Sequence, residues 1–252
     1  MNSPLGAVVA AELTKIRSVR STLLVLPLTV VLSAALAYPV GRSLAGVPNV
    51  DPLFATFYGL TLSQLPLVVF GVLLVGGEYT AGTITASLTA VPRRGLFYTG
   101  KVLAGLLTAL GVSAVSVAVS FVAAQMGLGP YRTSIGAAGV PQAVVGAWLY
   151  LALICVFAMG VATMLRGSAG PLAILMPLLF LGSQGLGNIP GLKTVTQYLP
   201  DQAAAVIMHL TGPEGDPRFG RDVGPWTGMG VLVLWVVLSL GGGYLVLRRR
   251  DA

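Results

Sequence analysis

Few residues in this chain are of types that could do chemistry, and their spacing excludes most reactions. Gly95 through Lys101 matches G-x-x-x-x-G-K, the beginning of a loop that cradles phosphate with backbone N–H groups. Val102, however, stands where a magnesium-binding hydroxyl belongs, and Pro92-Arg93-Arg94 replaces the buried strand that should come first. Gly182-Ser183-Gln184-Gly185 has the outline of a serine-nucleophile turn, but no histidine lies on a facing apolar run to act as base. The sole histidine, His209, has no second histidine or cysteine beside it in its own segment, so it reads as a packed or surface side chain. Cys155 is the only cysteine and sits inside an apolar run, which excludes an internal disulfide and a cysteine metal cluster. The acids are dispersed, whereas lipid-diphosphate chemistry needs aspartates gathered at one interface. These residues lead us to expect no catalytic, cofactor-binding or metal site of the chain's own.

The elements that position these residues are set by composition. Of 252 residues 55% are hydrophobic and only 9% charged, with mean hydropathy +0.87, against about 25% charged in ordinary soluble domains. A soluble fold of this size could not bury that much apolar surface, so the expected class is an all-α integral membrane protein. The net charge of +7 does not indicate nucleic acid, because the cations fall in the gaps between apolar runs and form no basic face. Arginine outnumbers lysine 12 to 3, which fits a GC-rich bacterial genome.

Six runs approach the roughly 20 residues a helix needs to cross a bilayer: 22–40, 57–75, 102–125, 143–165, 171–186 and 226–247. The fifth is short and carries Pro177, Gly182 and Gly185, features of a broken or tilted segment. With both termini inside, ten cations (Lys15, Arg17, Arg20, Arg93, Arg94, Lys101, Arg166, Arg248, Arg249, Arg250) are cytoplasmic. Five are outside: Arg42, Arg132, Lys193, Arg218 and Arg221. The expected location is the bacterial cytoplasmic membrane, with a small extracellular segment at 188–225. The early charges Glu12, Lys15, Arg17 and Arg20 and a long first run argue against a cleavable signal peptide.

Residues 6–21 place Val9, Leu13 and Ile16 on one helical face with Glu12, Lys15 and Arg17 largely off it, the pattern of a helix lying in the membrane interface. Between the second and third runs, 76–101 combines Glu78, the hydroxyls of Thr83, Thr85 and Ser87, the turn at Val91-Pro92, and Arg93, Arg94 and Lys101. It reads as a short amphipathic helix at the cytoplasmic surface followed by a basic start to the next span. No ionisable residue lies deep in a run, so an ion relay has no visible carrier. The polar side chains at membrane depth, Gln64, Ser113, Ser116, Ser120 and Gln184, are possible lining for a pathway, and helix packing is the other reading of the serines. Pro200 opens a short helix over 201–210, with Ala204, Ile207 and Met208 turned toward the membrane or toward neighbouring elements.

With this topology on the page, Gly77-Glu78-Tyr79-Thr80-Ala81-Gly82-Thr83-Ile84, Ser87-Leu88, Pro92-Arg93-Arg94 and Lys101 are similar to a pattern of the type-2 ATP-binding-cassette (ABC) transporter permeases. The topology covers nearly the whole chain and the motif about a tenth of it. The resemblance implies a permease that pairs with a second permease copy and with a separate ATPase subunit, which binds the ATP and Mg. It implies that 76–101 carries the coupling helix, with Glu78, Tyr79, Gly82, Thr83, Ser87, Arg93, Arg94 and Lys101 in the coupling region, and export of an amphipathic drug, lipid or peptide. A secondary transporter and a non-transport subunit of an immunity or sensory complex stay open on the same spans.

Overall fold

The computed structural model describes residues 4–183, 189, 192–212 and 219–250. Every regular element among them is helical. An amino-terminal helix, α1 (Pro4–Ser18), is broken from α2 (Arg20–Leu44) by Val19 in extended conformation. Asp51 caps α3 (Pro52–Tyr58) by accepting a 2.8 Å hydrogen bond from the Leu53 N–H, with Pro52 at the first helical position, where its missing donor costs nothing. Only Gly59 separates α3 from α4 (Leu60–Thr80). After the short α5 (Ile84–Ala90) come the 35-residue α6 (Arg94–Leu128) and α7 (Val140–Leu165). The chain then forms α8 (Ala169–Ser183), α9 (Lys193–Thr196), α10 (Pro200–Ala205) and α11 (Pro225–Arg250).

Among the described residues, five stretches are long and apolar enough to cross a membrane: Arg20–Leu44, Pro52–Thr80, Arg94–Tyr131, Val140–Leu165 and Pro225–Arg249. The run expected at 171–186 is a 15-residue apolar helix, α8, with Pro177 inside it; residues 184–186 lie outside the described residues. At 1.5 Å per residue α8 is about 22 Å long, shorter than a bilayer core of about 30 Å.

From α2 through α4 and α6 to α7 the long helices alternate in direction, whereas α11 runs parallel to α7, since Gly160 meets Ser239 and Thr163 meets Gly243. Glycines let them touch: a Cβ on Gly41 of α2 would stand 2.6 Å from the Ala124 carbonyl oxygen of α6, and one on Gly160 of α7 would stand 2.4 Å from Ser239 Oγ of α11. α4 and α7 are mostly buried and form the core with Phe57, Leu67, Phe70, Tyr150, Ile154 and Met159. α2, α6 and α11 keep most of their apolar surface open, with Leu24, Val31, Leu107, Val122, Leu234 and Val237 exposed. Water would not tolerate that outer surface, but lipid would. The start of α2, the end of α4, α5, the start of α6, the α7–α8 turn and the end of α11 share one end of the bundle; α3, α9 and α10 share the other.

Candidate functional site

The site grows from two adjacent residues at the start of α6. A Cβ on Gly100 would lie 2.5 Å from Val8 Cγ1, so α1 rests directly on α6 there. One residue on, Lys101 Nζ donates to Glu12 Oε2 at 2.7 Å and to Glu78 Oε1 at 3.0 Å, and approaches the Leu74 carbonyl at 3.5 Å. Lys15, one turn past Glu12, pairs with Glu78 and stands 3.8 Å from Glu12. Two acids and two lysines from three helices thus cancel in charge. Lys101 is 1% exposed, Glu12 7% and Glu78 5%. The Gly-Lys pair that resembled a phosphate loop lies within a continuous helix, with its glycine receiving α1 and its lysine receiving α1's acid.

Drying three such groups costs several kcal/mol each, and the mutual attraction returns it only because the hydrogen bonds are nearly complete. Such a cluster does more to fix where α1 lies than to raise stability. Burial and the neighbouring charge of Lys101 lower the pKa of Lys15. Glu78 Oε2 has no hydrogen-bond partner among the described residues.

Glu12 departs from the sequence expectation. The buried stripe of α1 is Val8, Glu12 and Ile16, at helical i, i+4, i+8 spacing, with Val9 and Leu13 only partly covered. Glu12, expected off the buried face, is its centre, because a lysine on α6 waits for it.

Beyond Glu78 the chain turns sharply. The Thr83 N–H reaches the Glu78 carbonyl at 3.0 Å and the Gly82 N–H reaches the Tyr79 carbonyl at 3.2 Å, the paired bonds of a Schellman ending. Gly82 sits at φ +69°, as that ending requires, and nothing lies within 4 Å of where its Cβ would stand. Glycine is present here for backbone conformation and not for close approach within the chain. The ring of Tyr79 faces the Arg166 guanidinium at 5.7 Å, and Thr80 Oγ1 meets Ser168 Oγ at 3.0 Å, so the α7–α8 turn packs on the end of α4.

α5 buries no residue fully. Ile84 and Leu88 lean on Phe97, Tyr98 and Leu247, while Thr83, Thr85, Ala86, Thr89 and Ala90 face outward and Ser87 is half-buried. Arg94 Nη1 donates to the carbonyls of Leu247 and Arg248 at 3.1 and 2.9 Å, satisfying the last turn of α11. Arg93 precedes α6 and is exposed. The residues singled out between 78 and 101 therefore divide into three roles. Glu78 and Lys101 are internal, Tyr79, Gly82 and Arg94 shape the loop, and Thr83 and Arg93 face solvent beside the exposed face of α5.

No family model and no curated protein matches this chain.

The polar residues at membrane depth have other settings. Ser113 donates to the Ala109 carbonyl at 2.6 Å and Ser120 to the Thr56 carbonyl at 2.6 Å. Ser116 is fully buried, with no partner for its hydroxyl among the described residues. The Tyr150 hydroxyl donates to Gln64 Oε1, and Gln64 Nε2 donates to the Thr61 carbonyl at 2.8 Å. All four sit between packed helices of one chain. Gln184 lies outside the described residues. Ser183 Oγ is turned back on the Phe180 carbonyl at 2.9 Å.

The opposite end holds a polar group that sequence reasoning missed. Gln202 Nε2 donates to Asp201 Oδ2 at 2.7 Å, and Arg221 Nη2 donates to Gln202 Oε1 at 2.9 Å. They close a cavity of about 50 Å³ with Gln64 and Tyr150. Burial raises the Asp201 carboxyl to about 6. Close by in the chain, His209 Nδ1 lies 2.6 Å from Asp51 Oδ2, and that hydrogen bond lowers the Asp51 pKa. α10 is shorter than the helix expected over 201–210, but Ala204, Ile207 and Met208 are buried as expected.

Proposed function

We propose that this chain is the membrane-spanning permease subunit of an ABC exporter, powered by a separate ATPase subunit, with α5 as the coupling helix. The observation that carries this reading is the contrast between α5 and its anchorage. A two-turn helix exposes a threonine- and alanine-rich face, while the loop ends on both sides are rigid: a Schellman turn and the Glu12–Glu78–Lys101 cluster behind it, Arg94 bound to α11 ahead of it. A push on α5 is transmitted at once to α1, α4, α6 and α11. A loop with no external partner has no need of that bracing.

The cation count supports a cytoplasmic position for this end, and the contacts at both ends of α8 support reading it as a sixth crossing. Its first residues follow the turn that packs on the end of α4, and Gly182 near its last turn touches Asp201 at the opposite end, with a would-be Cβ 2.5 Å from Oδ2. α8 is short, and its two ends contact opposite ends of the bundle. The pathway forms between two copies, and an apolar surface with scattered hydroxyls suits an amphipathic drug, lipid or peptide.

The test is to find whether the neighbouring reading frame encodes an ATPase with an intact phosphate loop, and to co-express that ATPase with this chain. A complex should form, and efflux of an amphipathic dye from inverted vesicles or cells should require ATP. Ala86→Trp, on the exposed face of α5, should abolish both association and efflux. Efflux driven by an ion gradient without ATP would favour a secondary transporter instead.

A further inference from the structure

One cavity lies on the outer surface of the bundle. It is an apolar groove of about 560 Å³ between α1, α2 and α6, walled by Leu13, Leu26, Val30, Leu107 and Val115, with Arg17 at its mouth. From Thr22 to Val30 along α2, and from Leu107 to Val115 along α6, it runs eight residues, about 12 Å at 1.5 Å per residue. That depth is close to one leaflet, half of a hydrocarbon core of about 30 Å. The groove begins at the end of the bundle that carries α1 and the ion cluster.

The charge at the mouth has one sign. Arg17 is exposed, Arg20 follows one turn later, and no carboxylate lines the groove. The nearest acids, Glu12 and Glu78, are turned away and engaged by Lys101 and Lys15. The floor is open because Gly111 has no side chain, and a Cβ placed there would meet nothing within 4 Å.

We infer that this groove is a binding site for an anionic phospholipid of the leaflet on the α1 side, one acyl chain lying against α2 and α6 and the phosphate headgroup on Arg17. A groove one leaflet deep, apolar along its length and cationic only at its mouth, matches that ligand in length and in charge. A zwitterionic lipid gains less from Arg17, because its own cation offsets its phosphate. This inference needs the membrane setting of the chain and is independent of the ATPase partner. Its consequence is that α1 is held from inside by the ion cluster and from outside by lipid.

The experiment uses the purified full chain, delipidated in detergent and titrated with phosphatidylglycerol or phosphatidylcholine under native mass spectrometry. The wild type should retain phosphatidylglycerol about fivefold better than phosphatidylcholine, the factor one basic residue near a headgroup contributes at about 1 kcal/mol. Arg17→Gln should erase that preference and leave phosphatidylcholine retention unchanged. Gly111→Leu and, independently, Val115→Trp should fill the groove and reduce retention of both lipids, whereas Gly230→Leu, at another open position on α11, should change neither. Equal retention of the two lipids by the wild type, or a preference that survives Arg17→Gln, overturns the proposal. So does bound lipid that persists in both groove-filling variants, or a groove block that alters only the monomer–dimer balance, which would make a second copy the occupant.

Discussion

Replacing Lys101 by methionine isolates the interaction that fixes α1. The substitution keeps the aliphatic length of the side chain and removes one charge from a site where that side chain is 1% exposed. With an effective dielectric constant of about 20, contacts of 2.7 and 3.0 Å are each worth about 6 kcal/mol before desolvation. Most of that is offset by the cost of burying the three groups, so the net value of the intact cluster is small. Breaking it is a different matter. Two buried carboxylates then face each other with only the half-exposed Lys15 between them, and loss of one partner from such a cluster costs about 3–5 kcal/mol. At about 2–4 °C per kcal/mol for a chain of this size, the melting temperature should fall by roughly 6–20 °C. Thermal unfolding in detergent, followed by the intrinsic fluorescence of the three tryptophans, reads this directly. The triple variant Glu12→Leu, Glu78→Gln, Lys101→Met should recover most of the loss, because Lys15 is then free to hydrate. A single variant that costs under about 0.5 kcal/mol, or a triple variant no better than the single, would refute the claim that this is a dry, mutually dependent cluster.

Four further outcomes follow from named contacts. Burial raises the Asp201 pKa from 3.8 to about 6, so the penalty for its buried charge is absent below pH 3.8, grows as pH rises to about 6 and is constant above. Wild type should therefore lose up to about 3 kcal/mol relative to Asp201→Asn between pH 4 and pH 7, measured as the difference between their unfolding curves. Gly82→Ala should cost about 1 kcal/mol from the left-handed backbone alone, with no clash, while Gly82→Trp should add a loss of efflux without a larger loss of stability. Gly228→Ala should be severely destabilising, because its Cβ would stand 2.0 Å from the Ala203 carbonyl oxygen, whereas Gly230→Ala, in open space, should be neutral or raise stability by up to about 1 kcal/mol in a melting experiment. Breaking the exposed His209–Asp51 pair with Asp51→Asn should matter little at neutral pH, by under about 1 kcal/mol. What stabilisation there is should fade as pH falls through the lowered Asp51 pKa, below 3.8.

The all-helical class and most of the long apolar helices were legible because apolar runs of about 20 residues are a strong, local signal. The exposed two-turn α5 was legible for a related reason: polar residues bounded by Gly82 and Pro92 interrupt two such runs. α8 was the least legible of these helices, since the apolar run expected at 171–186 carries Pro171, Pro177 and Gly182 and forms a helix of only 15 residues. Long-range pairing was the missing information. The periodicity of α1 does not show what Glu12 meets on its inward side, because its lysine partner is 89 residues away. One signal was available: an acid at i+4 from Val8 and i−4 from Ile16 lies on an apolar stripe by helical geometry. The Gly100–Lys101 pair misleads in the same way, because a string of letters does not show that its glycine receives a helix rather than a phosphate. Asp201, Gln202 and Arg221 were invisible for a similar reason, since α8 and α10 meet only in the folded chain.

The most direct test of the account is photo-crosslinking from α5 in intact cells. A photoreactive amino acid at Ala86 should give an adduct with a subunit that carries an intact phosphate-binding loop, while the same group at Val237, on the apolar outer face of α11, should give none. Absence of that adduct, or modification of a cysteine at position 86 by a membrane-impermeant reagent added outside the cell, would contradict the assignment of α5 as the surface that receives work from an ATPase.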